Sequence, residues 1–139
     1  MAAARKAANR IAANGKMKPN ERQRRERRGR AAETRAAWAL RLKGYRIEAS
    51  RVRTPAGEID IVARRGNMVA FVEVKARRTL AQAADAVPPG QRRRIVRAAH
   101  HYIAAHPQLA GLTHRFDTVL VVPRKWPHHV INAWRESGD

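Results

Sequence analysis

Apolar and polar positions along this chain change rhythm several times, and each rhythm predicts an element. Helical composition begins near Glu21 and runs through Ala31, Ala32, Glu33, Trp38, Leu40 and Leu42 to Gly44, a residue suited to ending a helix. Strand-like alternation follows. Tyr45, Ile47 and Ala49 interleave with polar residues over 45–53, and Thr54-Pro55-Ala56-Gly57 then marks a turn. Two more strands, 58–65 and 68–77, flank Gly66-Asn67, a pair that tolerates positive φ and reads as a two-residue hairpin loop. Residues 79–87 are Ala-rich and carry no clear period. Pro88-Pro89-Gly90 opens a second helix over 91–106, with Ile95, Ala98, Ala99, Tyr102 and Ile103 at helical spacing and Pro107 as its stop. A strand over 115–122 and a short extended segment over 128–134 follow. The order α-β-β-β-α-β, with no internal repeat, predicts an α/β sandwich around a mixed sheet.

Composition narrows this picture. A length of 139 residues suits one domain, and 27 of the hydrophobic positions are Ala, so the larger apolar residues suffice for one compact core. No apolar run approaches the roughly 18 residues that a membrane span needs. The absence of cysteine excludes a disulfide scaffold, a Cys-ligated zinc site and thiol catalysis, and it fits a reducing, cytoplasmic setting.

The net charge of +19 points to a polyanionic partner, with nucleic acid the commonest. No basic amphipathic helix with bulky apolar anchors argues for a lipid surface instead. Residues 1–30 alone net +9 and hold only three large apolar side chains, Met1, Ile11 and Met17. Residues 1–20 are therefore expected to form a mobile basic arm ahead of a folded domain at 21–139.

In so basic a chain the acids stand out. Asp60 lies within Ile59-Asp60-Ile61-Val62 and Glu73 within Val72-Glu73-Val74, both among β-branched neighbours. With Gly66-Asn67 as the loop, Arg65 faces Met68. Counting outward then sets Asp60 across from Glu73 and Glu58 across from Lys75. The two-residue period places these four on one face, with Ile59, Ile61, Val72 and Val74 on the other. Opposed β-carbons stand about 4.5–5.5 Å apart, so two carboxylates there repel unless a cation lies between them or one is protonated. Oxygen-only ligands favour Mg²⁺ or Mn²⁺ over Zn²⁺, and Lys75 is placed to orient or activate a water. The competing reading pairs Asp60 and Glu73 with nearby arginines and Glu58 with Lys75, without chemistry. Glu33 shares a helix face with Ala36, Ala37 and Leu40; it either reaches the same cleft or pairs with Arg30.

These residues form ordered blocks: Ala-Ala-Glu33, Gly44-Tyr45, Gly57-Glu58-Ile59-Asp60, Phe71-Val72-Glu73-Val74-Lys75-Ala76-Arg77 and Arg115-Phe116-Asp117. Together, over roughly residues 28–135, they resemble the YraN family of bacterial proteins, which is similar to archaeal Holliday junction resolvases of the PD-(D/E)xK class. The resemblance implies a restriction-endonuclease-like three-layer sandwich. It implies that Asp60 and Glu73 bind a divalent metal, that Glu33 completes the acidic cluster, and that Lys75 positions or deprotonates the attacking water. A metal-dependent endonuclease acting on DNA, at branched or damaged structures, is the expectation that follows. A non-catalytic nucleic-acid-binding protein on the same scaffold is the alternative. Resolvases of this class act as two-fold dimers, so the resemblance also implies a homodimer. Ile59 stands where the wider class has its proline, and Gln91 stands where related nucleases often carry Lys or Gln at the start of the second helix, which implies a phosphate contact.

Among the remaining residues, Arg77 and Arg78 follow Lys75 directly and are candidate nucleic-acid contacts. Arg92, Arg93, Arg94 and Arg97 begin the second helix and either grip phosphates or form a solvated face. The adjacent pairs His100-His101 and His128-His129 point in diverging directions and are not assigned as metal ligands. His114 is assigned a surface hydrogen bond and Asp117 a structural pairing with Arg115 or another cation. Trp38, Trp126 and Trp134 are assigned to packing in preference to base stacking.

Overall fold

The computed structural model describes residues 19–82 and 86–139. The chain divides at Ala31/Ala32, inside the first helix, α1 (Pro19–Leu42). Of the first unit the described residues, 19–31, are helical; the sheet, its cores and the site belong to Ala32–Asp139. The basic arm expected over 1–20 falls outside the described residues up to 18, and Pro19 already begins α1.

α1 is rich in Ala, Arg and Glu, residues that lose little entropy in a helix. It stops as the sequence predicts. Gly44 N–H bonds to Arg41 O and Tyr45 N–H to Leu40 O, at 3.0 and 3.1 Å, while Gly44 takes φ 91°. This is a Schellman cap, which only a residue free to enter the left-handed region closes without strain.

Five strands follow: β1 (Arg46–Thr54), β2 (Gly57–Arg65), β3 (Met68–Ala76), β4 (Thr113–Val121) and β5 (His128–Trp134). They form one open sheet in the order β1-β2-β3-β4-β5. Every neighbouring pair is antiparallel except β3 and β4, which run parallel and are joined through helix α2 (Pro89–Ala105). The element order therefore extends the sequence expectation by one strand, since 128–134 is a full edge strand on β4. The described residues thus form a mixed α/β fold with a five-stranded sheet and two α-helices. Among the described residues no helix is long and apolar enough to cross a membrane.

The sheet is buried on both faces at its centre, which is why β2 and β3 read as near-continuous apolar runs. On one face Ala32, Ala36, Ala37 and Leu40 of α1 pack against Ile61, Ala63, Ala70, Val72 and Val74. On the other, Ile95, Val96, Ala98, Ala99 and Tyr102 of α2 pack against Ile59, Val62, Val69 and Phe71.

The β2–β3 hairpin has the expected register, from Arg65↔Met68 to Ile61↔Val72. Gly66 takes φ 60° and Asn67 does not enter the positive region, so only the glycine of the pair uses its freedom. Beyond Ile61↔Val72 the ladder ends. On the other edge of β2, Ser50↔Ile61 and Val52↔Ile59 are paired while Arg51 and Asp60 between them are not, and Arg51 takes φ 51°. This break corrects the expected face assignment. Ile59 does not side with Ile61, Val72 and Val74; it turns into the α2-side core, accompanied by Val52.

Candidate active site

The same break frees Asp60 from both ladders. Its Oδ2 accepts the N–H of Val74 at 2.8 Å, a donor that a continued β2–β3 ladder would have used for a backbone carbonyl. Glu73, on β3, points to the same side and is buried, at 6% exposure. Its Oε1 accepts Gln91 Nε2 at 2.8 Å and lies 3.2 Å from Lys75 Nζ. The Asp60 and Glu73 carboxyl groups are close enough that each acts on the charge of the other. Sequence register thus brought Asp60, Glu73 and Lys75 together, although Asp60 and Glu73 meet through side chains and not as a ladder pair.

Burial is the main force on both acids. It drives Glu73 up to about 8, the Asp60 charge adding to the rise and Lys75 opposing it. Asp60 is also raised by burial, against the pull of the Val74 N–H, with the Glu33 charge raising it further. Both carboxyl groups are thus held above the usual carboxylate range, by burial and by the charge of a neighbouring acid, Asp60 for Glu73 and Glu33 for Asp60. Gly57, Glu58, Asp60, Glu73, Gln91, Arg94 and Ile95 line an open cavity of ≈ 320 Å³ in front of this pair.

The other predicted residues are placed as follows. Glu33 accepts Arg51 Nε at 2.7 Å, and Arg51 is the left-handed residue at the break in β1. Among the described residues, no three His, Cys, Asp or Glu side chains are gathered as a metal-binding set. Glu58 is exposed at the cavity wall, and the ion pair of Lys75 is with Glu73. Arg77 donates to Ala76 O and Ala86 O at 2.8 and 3.3 Å, and Arg92 donates to Val87 O at 2.8 Å. These two guanidinium groups brace the backbone that leads into α2. Arg78 and Arg93 are exposed, and Arg94 reaches the cavity.

A second cluster surrounds Asp117, which is fully buried. Arg115 bonds to it through Nε and Nη2 at 2.8 and 2.7 Å, His129 Nε2 at 2.8 Å, and the Asn132 N–H at 3.0 Å. Burial alone would raise the Asp117 carboxyl, but the bonds from His129, Arg115 and Asn132 together hold it below the usual range. Arg115 Nη2 also donates to Tyr45 Oη at 2.6 Å. The structural pairing expected for Asp117 is present, with His129 as an added partner that sequence spacing did not identify. His114 bonds to Leu109 O at 2.8 Å. The tryptophans divide: Trp134 is buried at 2% exposure, whereas Trp38 and Trp126 are exposed at 59% and 65%. The expectation that all three pack is corrected for the last two.

The model of a family described as uncharacterised protein family UPF0102 matches residues 32–121, a span that holds Glu33, Asp60, Glu73, Lys75, Gln91 and Asp117. This chain belongs to the UPF0102 family. The UPF0102 protein of Parvibaculum lavamentivorans is 56% identical over 107 residues, covering 77% of this chain and 80% of the relative. That of Bradyrhizobium diazoefficiens is 57% identical over 109 residues, covering 78% and 82%. That of a Chelativorans species is 54% identical over 113 residues, covering 81% and 91%. The YraN-like membership read from the sequence blocks is thereby established, and the matched region contains the acidic pair together with the strands and helix that hold it.

Proposed function

We propose that this UPF0102 chain is a Mg²⁺- or Mn²⁺-dependent nuclease-like protein that binds DNA and hydrolyses phosphodiester bonds, on a restriction-endonuclease-like sandwich. The observation that carries the reading is half-buried Asp60 and buried Glu73 set together beside Lys75 at an open cavity. Two neighbouring carboxyl groups largely withdrawn from water are poor structural elements but a good cradle for a doubly charged cation. Their donors are oxygens alone, which fits a hard ion. When bound, such an ion polarises a phosphate and lowers the pKa of water.

The chain's own residues would do the rest. Asp60 is fixed by the Val74 N–H, and Glu73 by Gln91 and Lys75, so neither carboxylate must be ordered on ligand arrival. Lys75 Nζ, half-buried and held at Glu73, would orient a water beside the pair, or take its proton once it has given up its own. Arg94 at the cavity wall offers a cation to the phosphate. Glu33 joins the set only if Arg51 releases it. A homodimer and a cytoplasmic location accompany this reading through the likeness to resolvases and the reducing composition.

The second reading, a non-catalytic DNA-binding protein, is favoured by one observation: Glu33 is tied to Arg51 and the described residues gather no third acid. Incubation of the purified chain with plasmid and branched DNA, with and without Mn²⁺, separates the two. The nuclease reading expects Mn²⁺-dependent cutting that Asp60→Ala and Lys75→Ala abolish while DNA binding persists. Binding that falls steeply with salt, without cutting of any substrate, supports the second reading and overturns the first.

A further inference from the structure

We infer that Trp38 and Trp126, with the cations around them, form a stacking surface for the unpaired bases of single-stranded DNA. The inference rests on DNA as the partner, but the surface shares no residue with the Asp60–Glu73 cavity. Two indoles exposed at 59% and 65% are costly to leave in water, and neither fills a core.

Their placement is joint. Arg35, one helical turn before Trp38, donates through Nη2 to Lys125 O at 2.9 Å, and Lys125 directly precedes Trp126. This contact ties the turn of α1 that carries Trp38 to the residue just before Trp126. The Arg41 guanidinium lies over the Trp38 ring, 5.2 Å from its centre, so a base would stack on the opposite face with a phosphate donor at hand.

The connection itself supplies an independent observation. Lys125 N–H bonds to Val122 O at 3.3 Å, closing a turn with Pro123 in its second position. The third position is Arg124 at φ 62°, a conformation that glycine adopts without strain and arginine does not. A strained backbone that keeps a cation at the tip of a turn is the kind of feature found where a surface binds something. No Asp or Glu occurs from Thr34 to Lys43 or from Thr118 to Arg135, so these cations have no local acidic partner in sequence. Exposed indoles with arginines and a lysine close by in the chain suit the bases and phosphates of a strand. A second copy of a chain with net charge +19 is a poor occupant by comparison.

The test measures binding of a fluorescein-labelled oligothymidylate, and of a duplex of equal length, to the full chain at fixed salt. The Trp38→Ala/Trp126→Ala double variant should bind the single strand roughly tenfold or more weakly, with much less effect on the duplex. The Trp38→Phe/Trp126→Phe variant should retain most of the affinity, because it keeps the aromatic plates. Matched melting temperatures establish that all variants are folded. Undiminished single-strand binding by the alanine variant overturns the stacking surface and leaves DNA as the partner. Failure of the unaltered chain to bind either DNA overturns both. A concentration-dependent dimer that dissolves on alanine substitution would overturn the inference by assigning the patch to self-association.

Discussion

Glu73 carries the most informative protonation behaviour in the molecule. Its carboxyl, ordinarily near 4.5, is pushed up to about 8 by burial and by Asp60. An acid held more basic in the folded state than in the unfolded one adds stability below its ordinary range and loses it as pH rises. Metal-free protein in chelator should therefore lose thermal stability between about pH 4.5 and 8, and Glu73→Gln should remove that loss. Melting profiles that run parallel in the two proteins across this window would contradict the assignment. Asp117 has the opposite sign, because its carboxyl is held below the usual range, so its contribution persists above about pH 3.8 and is lost on acidification. Asp117→Ala leaves Arg115 and His129 without their buried acceptor and should cost about 3–5 kcal/mol in urea unfolding. At this scale the sequence was readable where chain geometry is simple. A two-residue loop fixed the hairpin register, and that register brought Asp60, Glu73 and Lys75 to one place. It was unreadable where a backbone break decides. Nothing in the sequence marks Arg51 as left-handed, and that residue both claims Glu33 and unpairs Asp60.

Elements were more legible than side chains, because helix stops and hairpin loops rest on a few residues with strong backbone preferences. Gly44 is the clearest. It closes the α1 cap at φ 91°, and an added β-carbon there would meet only Arg65 Cδ, at 3.8 Å. Gly44→Ala should therefore destabilise through backbone strain alone, by about 1–2 kcal/mol, with no repacking of the core. Chemical denaturation checks this, and an unchanged midpoint would mean that the cap does not hold the helix end. β5 was harder to read. It is a short edge strand of mostly exposed or half-buried residues, and it departs from regular pairing with β4 beside Asp117. Strict alternation also misplaced Ile59, because the two-residue period assumes an unbroken strand, and β2 is interrupted at Asp60.

At the scale of the whole molecule, charge and the acidic pair answer different questions. A net charge of +19 draws the chain toward polyanions but does not distinguish a binder from an enzyme. The exposure of Trp38 and Trp126 was invisible in the sequence, since a lone tryptophan on a helix or in a loop looks the same whether it faces a core or the solvent. The distinction between binder and enzyme rests on whether the buried carboxyl pair accepts a divalent cation. Manganese titration followed by calorimetry, on the unaltered chain and on Asp60→Asn at neutral pH, tests this most directly. The unaltered chain should bind Mn²⁺ saturably with release of protons, and Asp60→Asn should lose that binding. Absence of binding, or binding of equal strength in the variant, would contradict this expectation.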